Sequence, residues 1–168
     1  KHQDRNISEK KQNLFYTMLC LVLVSCISLI YTNDIFTGFV FLEIATLASV
    51  GITMIRDQGR SIIAAIRYMI FNLLGSGLFL IGITLLYDWT GYLSMSYIHE
   101  VVTKVVAEGN MQPLVIITFT LVTVGLAIKS GLFPFHFWMP DTYGSSTTAA
   151  RGFLSCMISK GYIILLIK

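Results

Sequence analysis

Charged residues are scarce in this sequence. Among its 168 residues, 12 are Lys or Arg and 9 are Asp or Glu, so the charged fraction is 12%, against about 25% in a typical soluble domain. Hydrophobic residues make up 55%, and the mean hydropathy is +0.72. This composition predicts an integral membrane protein in contact with the lipid bilayer. The formal net charge of +3 is too small and too dispersed for a nucleic-acid-binding surface, so we expect no nucleic-acid partner.

Residue patterns that support chemistry are also missing. The three cysteines, Cys20, Cys26 and Cys156, lie in apolar runs without the spacing of a zinc or iron–sulfur site, and we interpret them as small packing residues. The sequence has no glycine-rich phosphate loop, no paired nucleophile and base, and no haem-binding spacing. We therefore expect no active site, metal or cofactor in this chain, and whether it belongs to an enzyme complex stays open.

The two ends of the sequence bear on its processing. It does not begin with Met, and its basic opening is not followed by a small-residue cleavage site, so we expect no signal peptide. It ends within an apolar run, Leu165-Leu-Ile-Lys168. We expect it to be a fragment, or the ordered part, of a longer protein.

Five apolar stretches approach the roughly 20 residues that a transmembrane helix needs. They cover residues 14–31, 35–55, 68–87, 114–139 and 152–167. The fourth is interrupted at residues 129–134 by a lysine, Gly131 and Pro134, and glycine and proline loosen or break a helix. The sequence therefore predicts an all-α polytopic membrane protein with about five transmembrane helices, the fourth discontinuous.

The basic residues outside these spans predict the orientation. With five spans, the N-terminus lies on the same side as the loop after the second span and the link between the fourth and fifth spans. That side carries Lys1, Arg5, Lys10, Lys11, Arg56, Arg60, Arg67 and Arg151. The other side carries Lys104 and Lys168. The N-terminus is therefore predicted to be cytoplasmic, with Arg67 reaching from the membrane edge to water.

Residues 94–107, between the third and fourth spans, have the periodicity of an amphipathic helix capped by Ser94 or Ser96. We expect it on the outer surface or against a neighbour, with His99 as a surface residue. The predicted organisation is a cytoplasmic basic segment over 1–12 and a five-helix transmembrane unit over 13–168, which includes the extracytoplasmic segment 92–112.

Three charged residues fall well inside predicted spans: Glu43, Lys129 and Lys160. Ionisable residues at such depth are costly and are functional candidates by default. Burial and a nearby carboxylate act in opposite directions on the proton affinity of a lysine, so a lysine that gains and loses such a partner can pass a proton. The alternative is a static ion pair that holds the helices in register, although desolvation makes buried pairs poor stabilisers. We favour ion transfer.

Other polar and aromatic residues near the interruption admit simpler interpretations. His136 either extends the relay toward the cytoplasm or lies at the membrane interface, and both interpretations stay open. Trp138 is interpreted as an interfacial anchor, as are Tyr143, Trp89 and Tyr92. Asp141 is interpreted as a helix-end or loop residue. The small residues Gly75, Gly77 and Gly82 suit close helix packing.

Four stretches, in order along the chain, resemble one family. They are Asp34-Ile-Phe-Thr-Gly-Phe-Val-Phe-Leu-Glu43, residues 65–82, Lys129-Ser-Gly-Leu-Phe-Pro-Phe-His-Phe-Trp-Met-Pro-Asp141, and Ser159-Lys160-Gly-Tyr-Ile-Ile-Leu-Leu. The family comprises the antiporter-like subunits of respiratory complex I, of Mrp-type sodium/proton antiporters, and of membrane-bound hydrogenases such as formate hydrogenlyase and energy-converting hydrogenase. The resemblance covers nearly all residues from about 32 onward. The linker 144–151 differs from the family in having no proline, and Leu154 stands where many members have histidine.

The resemblance implies a half-channel. Family members have about fourteen helices with two inverted five-helix repeats, and this chain is similar to the first repeat alone. Glu43 and Lys129 would be the interacting pair of the proton channel, Lys129 would lie in the discontinuous helix, and Lys160 would be the next station. A second half-channel repeat, from another chain or from the remainder of this one, is implied as a partner.

Three functions follow as hypotheses. The first is a proton-translocating subunit of a redox-driven pump, of the complex I (NADH dehydrogenase) or hydrogenase type, in the inner (cytoplasmic) or an equivalent energy-converting membrane. Hydrophilic redox subunits with iron–sulfur clusters would then be partners. The second is a subunit of a stand-alone Mrp-type Na⁺/H⁺ antiporter, and the third is a structural subunit with static buried charges. H⁺ and Na⁺ stay open as the coupling ion, as do the electron donor and an acceptor such as quinone.

Overall fold

The structure is a computed structural model that describes residues 9–55, 59–107, 113–155 and 159–167. Helices dominate it, and in chain order they are α1 (Glu9–Tyr31), α2 (Ile35–Met54), α3 (Gly59–Thr90), α4 (Met95–Ala107), α5 (Pro113–Ser130), α6 (Trp138–Ser145), α7 (Thr148–Phe153) and α8 (Ser159–Ile167). Within those ranges the β-structure consists of an isolated antiparallel bridge between Asp34 and Ser94. The predicted all-α class is confirmed.

Four of the described helices are long and apolar enough to cross a membrane: Lys11–Tyr31, Ile35–Met54, Gly59–Thr90 and Pro113–Ser130. They correspond to the first four predicted spans, which confirms a polytopic membrane protein. The predicted fifth span falls on α7, α8 and the residues between them, of which 156–158 lie outside the described residues. The count of five spans therefore stays a prediction.

Helix α3 is longer than the predicted span 68–87. Its 32 residues extend about 48 Å at 1.5 Å per residue, well beyond a hydrocarbon core of about 30 Å. The additional N-terminal turns are helical because they pack inward, with Ser61, Ala64 and Ala65 buried. Arg60 and Arg67, predicted to lie in or next to a loop, are therefore helical residues on exposed positions.

Glycines bring α3 and α5 into close backbone contact. A Cβ added to Gly75 would lie 2.9 Å from the carbonyl oxygen of Gly125, and one added to Gly125 would lie 2.8 Å from that of Gly75. A Cβ added to Gly82 would lie 2.7 Å from Cγ2 of Val122 and 3.0 Å from its backbone nitrogen. Small residues are what allow membrane helices to approach this closely. The predicted packing role is thus met by Gly75 and Gly82 but is wrong for Gly77, which has no atom within 4 Å of an added Cβ.

The core lies where α1, α2, α3, α5 and α8 meet. Its buried members are Val22, Cys26, Leu29, Leu42, Ala48, Ile52, Phe79, Ile83, Leu126, Ala150, Leu154, Tyr162 and Leu165. Cys26 is a packing residue as predicted, whereas Cys20 is exposed and Cys156 lies outside the described residues. Large apolar side chains on the outer faces of the long helices are exposed, including Leu47, Leu73 and Ile81, as expected of surfaces that face lipid.

Helix α4 occupies the predicted amphipathic segment. The Asn33 side chain donates hydrogen bonds to the hydroxyls of Ser94 (3.2 Å) and Ser96 (2.9 Å), the two predicted caps. These bonds, with the Asp34–Ser94 bridge, attach the start of α4 to the start of α2. On the exposed side of α4, the Lys104 ammonium donates to Glu100 at 2.7 Å, which lowers the pKa of the Glu100 carboxyl and raises the pKa of Lys104.

Candidate functional site

The interruption of the fourth span is a helix end of defined geometry. After Lys129, Gly131 adopts φ +68°, a left-handed conformation that glycine takes without steric cost. The amide of Gly131 donates to the carbonyl of Ile128 (3.2 Å), and that of Leu132 donates to the carbonyl of Ala127 (3.0 Å). This bond pattern is a Schellman motif, which satisfies carbonyls at a helix C-terminus. Lys129 therefore lies in the last turn of α5, where the helix dipole favours a cation.

Residues of α6 pack against this helix end. The indole N–H of Trp138 donates to the carbonyl of Ile128 at 3.3 Å, and its ring lies 4.8 Å from that of Tyr68. A Cβ on Gly131 would collide with the methyl group of Met139. Trp138 is 2% exposed, so the prediction of an interfacial anchor is wrong for this residue: its indole is directed inward by a buried carbonyl that needs a donor.

Glu43 and Lys129 form an ion pair inside the protein. The Lys129 ammonium lies 2.5 Å from Oε1 of Glu43, and the side chains of Lys129 and Glu43 are 0% and 30% exposed. Glu43 comes from the middle of α2 and Lys129 from the end of α5, so the pair joins two membrane-crossing helices. The glycine contact supplies the room for the lysine, since a Cβ on Gly75 would lie 3.1 Å from Cγ of Lys129.

Ser76 is a third member of the site that the sequence did not reveal. Its hydroxyl donates to Oε1 of Glu43, the oxygen that also accepts from Lys129. The same hydroxyl lies 2.8 Å from the backbone carbonyl of Asn72. Because a serine has one hydroxyl hydrogen, it bonds one of these acceptors at a time. Ser76 can therefore stabilise a charged Glu43 and turn to its own helix when the carboxyl no longer accepts.

The signal for Ser76 is a polar stripe on an apolar helix. Tyr68, Asn72 and Ser76 follow each other at four-residue spacing on α3 and are all buried, at 1%, 1% and 5% exposure. Residues four apart share a helix face. Considered alone, Ser76 between two glycines is typical of a packing residue. The four-residue spacing of Tyr68, Asn72 and Ser76 instead indicates a polar helix face.

Tyr162 on α8 also contacts the lysine. The Lys129 ammonium lies 5.8 Å from the centroid of the Tyr162 ring, within the range of a cation–π interaction. The Tyr162 hydroxyl lies 3.0 Å from the hydroxyl of Thr46, which is three residues after Glu43 on α2. Tyr162 is 1% exposed, so this contact is shielded from water and lipid.

The remaining predicted residues stand apart from the pair. Lys160 belongs to α8, but its side chain is outside the described residues. His136 lies in the turn between α5 and α6, stacked between the rings of Phe133 (5.9 Å) and Phe137 (5.1 Å). Its Nδ1 is buried and has no hydrogen-bond partner among the described residues. The structure gives no contact that joins His136 to the Glu43–Lys129 pair in the described part of the chain.

Asp141 has a more specific place than the predicted helix end. It lies in the first turn of α6 and forms an ion pair with Arg67 of α3, where the side chains of Asp141 and Arg67 are 42% and 61% exposed. An exposed pair of this kind contributes about 0–1 kcal/mol. Its geometric effect is to attach α6, and with it Trp138, to α3. Arg67 thus has a protein partner instead of only reaching toward water.

In the described part of the chain, the site pairs one buried ammonium with one carboxylate and has no metal-binding geometry. In the described ranges, no group of three or more His, Cys, Asp or Glu side chains is placed to hold a metal ion. A buried ammonium with one carboxylate partner depends on that partner, because breaking a buried pair leaves an uncompensated charge.

Known proteins are similar to this chain in sequence. Residues 32–168 match the family described as NADH:quinone oxidoreductase/Mrp antiporter, TM. NADH-quinone oxidoreductase subunit N of Desulforudis audaxviator (strain MP104C) is 31% identical over 151 residues, which are 90% of this chain and 29% of that protein. A Na(+)/H(+) antiporter subunit of Bacillus subtilis (strain 168) is 27% identical over 157 residues, 93% of this chain and 31% of that protein.

Similarity extends to the three-dimensional structure. A chain of the membrane-bound sulfane sulfur reductase, an archaeal respiratory membrane complex, superposes with a TM-score of 0.81 at 29% sequence identity, covering 89% of this chain and 30% of that chain. Across these comparisons, this chain spans under a third of the length of the proteins that it matches.

Proposed function

The chain belongs to the NADH:quinone oxidoreductase/Mrp antiporter transmembrane family, and from that membership we propose that it is a proton-translocating, antiporter-like membrane subunit of a redox-driven multisubunit complex. The membership confirms the resemblance carried by the motif around Lys129. The observation that supports the function is the fully buried Lys129 ammonium paired with Glu43 at a helix end. Such a pair is a weak source of stability, so its presence favours a role in charge movement.

The proposed mechanism is electrostatic. When Glu43 approaches Lys129, the carboxylate stabilises the ammonium; when the two separate or Glu43 is neutralised, Lys129 releases its proton. Lys160 on α8 would be the next acceptor, in the direction of the second half-channel. His136 remains a candidate on the cytoplasmic side, because its Nδ1 has no hydrogen-bond partner among the described residues.

The assembly around the chain is proposed from its relatives. Other membrane subunits would pack against the exposed apolar helices, and one of them, or the rest of this protein, would supply the second half-channel repeat. Hydrophilic subunits with iron–sulfur clusters would deliver the redox energy. We place the complex in the inner (cytoplasmic) or an equivalent energy-converting membrane with the N-terminus in the cytoplasm. Similarity to the Na(+)/H(+) antiporter protein of B. subtilis keeps a stand-alone cation/proton antiporter as the second candidate.

Replacing Lys129 tests the function. In the complete complex reconstituted into sealed vesicles, we expect Lys129→Ala to abolish coupled proton transport while subunit assembly is retained. Lys104→Ala is the matched control, because Lys104 is an exposed lysine paired with a carboxylate on α4. Proton uptake, followed with a pH-sensitive dye, and subunit composition are measured on the same preparation. Normal pumping by Lys129→Ala contradicts the proposal.

A further inference from the structure

A row of buried hydroxyls follows Glu43 along α2. Thr46, Ser49 and Thr53 are 4%, 0% and 0% exposed, and their spacing of three and four residues places them on one helix face. Each donates its hydrogen to the backbone carbonyl four residues earlier. Since a hydroxyl oxygen has two acceptor lone pairs, all three oxygens keep the capacity to accept a further hydrogen bond.

Two buried tyrosines face this row from other helices. The Tyr162 hydroxyl of α8 is in contact with Thr46 at 3.0 Å. The Tyr68 hydroxyl of α3 is buried and forms no hydrogen bond within the described part of the chain, and Tyr162 and Ser49 are among the groups that act on it electrostatically. Both tyrosines are 1% exposed. Three helices therefore contribute buried hydroxyl groups to the interior beside the ion pair.

Packing alone does not explain this cluster. A buried polar group without a partner is destabilising, so a phenylalanine at Tyr68 would serve a purely apolar core better. The same holds for Asn72, whose Oδ1 is also buried and has no partner among the described residues. Valine would fill the place of Thr46 with nearly the same shape. Polar groups retained at such a cost are candidates for function.

We propose that Tyr162 and Tyr68 are proton-relaying residues, which connect the Glu43–Lys129 pair through the α2 hydroxyls to the C-terminal end of α2. This inference rests on the proposed function and names the groups that carry protons to and from its ion pair. The predicted topology places that end of α2 on the cytoplasmic side.

The transfer step conserves charge. Each hydroxyl oxygen accepts a proton from the group behind it and releases its own hydrogen to the next oxygen, with water as the bridging molecule where two hydroxyls are not in contact. One O–H bond forms and one breaks at every group, so each returns to the neutral form. The net result is the movement of one proton to or from Glu43, with no redox change.

Single-oxygen substitutions test the relay. We expect Tyr162→Phe and Tyr68→Phe, made in the complete complex in sealed vesicles, each to slow proton transport by about 100-fold, the lower end of what a positioned proton-transfer group contributes. The double variant should be no slower than the slower single variant, because groups in series share one path. Phenylalanine keeps the ring next to Lys129, so the change isolates the hydroxyl. Tyr87→Phe, on an exposed position of the same helix as Tyr68, is the control.

A solvent isotope measurement separates relay from structural support. If the hydroxyls pass protons, the ratio of pumping rates in H₂O and D₂O should rise in Tyr162→Phe and Tyr68→Phe, because proton transfer becomes the slow step. A structural defect would lower the amount of active complex and leave that ratio unchanged. Should Tyr162→Phe fail to assemble, Thr46→Val removes the other half of the 3.0 Å contact and provides the same test.

The outcomes distinguish this inference from the function on which it rests. Parental pumping rates in Tyr162→Phe, Tyr68→Phe and Thr46→Val, together with a loss in Glu43→Gln, overturn the relay and leave the proposed function intact. Parental rates in Glu43→Gln and Lys129→Ala overturn both. Losses in the tyrosine variants with a raised isotope ratio, and a parental rate in Tyr87→Phe, support the relay.

Discussion

Neutralising Glu43 and Lys129 one at a time and together separates charge transfer from structural support. Removing one partner of a buried ion pair typically costs about 3–5 kcal/mol. The two sides of this pair are unequal, since the Lys129 side chain is 0% exposed and the Glu43 side chain is 30% exposed. Glu43→Gln leaves Lys129 sealed in the protein without its carboxylate, so folding must either keep an uncompensated ammonium or deprotonate the lysine, and we expect a cost near the upper figure, about 5 kcal/mol.

Lys129→Met should be milder. It leaves a carboxylate that is partly exposed and still accepts a hydrogen bond from Ser76, so its cost should fall near or below about 3 kcal/mol. The double variant removes both charges and buries two neutral side chains of similar length. Replacing a buried pair by well-packed apolar residues of similar volume is often neutral or stabilising by about 1–4 kcal/mol, and here the only polar replacement, glutamine, stands at the partly exposed position of Glu43. We therefore expect the double variant to be at least as stable as the parent.

Two properties are measured on the parent complex, the two single variants and the double variant: thermal stability in detergent and proton uptake in sealed vesicles. The proposed function predicts that the double variant regains stability and assembly but transports no protons. A static structural pair predicts that it regains both. Parental pumping by the double variant would refute the relay, and a double variant less stable than the parent would refute the energetic reasoning.

Two further predictions concern the glycines that build the site. Gly131→Ala should destabilise the complex by more than about 1–2 kcal/mol, the cost of a left-handed backbone for a residue with a Cβ. The cost should exceed that figure because the added carbon also collides with Met139 of α6, and thermal unfolding of the purified complex measures it. Gly125→Ala should impair assembly, since its Cβ would meet backbone atoms of α3 at 2.8 Å. The control, Gly77→Ala, should assemble normally because its Cβ meets nothing within 4 Å. Native electrophoresis compares the assembly of the two variants.

The sequence predicts the helices well and their mutual orientation poorly. Composition and apolar runs are enough for a polytopic helical protein, and charges at depth single out Glu43 and Lys129. A helix that is apolar all around, however, does not show which face meets a neighbour. The contribution of Ser76, and the contact of Tyr162 with Thr46, depend on how α3 and α8 are rotated about their axes, which the three-dimensional structure supplies.

Trp138 shows a second limit of sequence reasoning. A tryptophan after an apolar run and next to prolines fits the membrane interface on statistical grounds. The Schellman motif ends α5 just after Lys129, and the indole donates to the Ile128 carbonyl. Asking which donors satisfy the last carbonyls of α5 would have favoured an inward tryptophan, but the answer needs the path of residues 131–137.

The two halves of the ion pair differ in how they are held, and this difference indicates which half can move. Glu43 lies in the middle of a continuous helix, α2, with backbone hydrogen bonds on both sides. Lys129 lies one turn beyond Gly125, where α5 is clamped to α3, and just before the turn that ends the helix. Displacing that turn, or α6 upon it, shifts the last turn of α5 without unpacking the glycine contact, because helix ends open at lower cost than helix centres. A change in the separation of the pair is therefore most readily made from the lysine side.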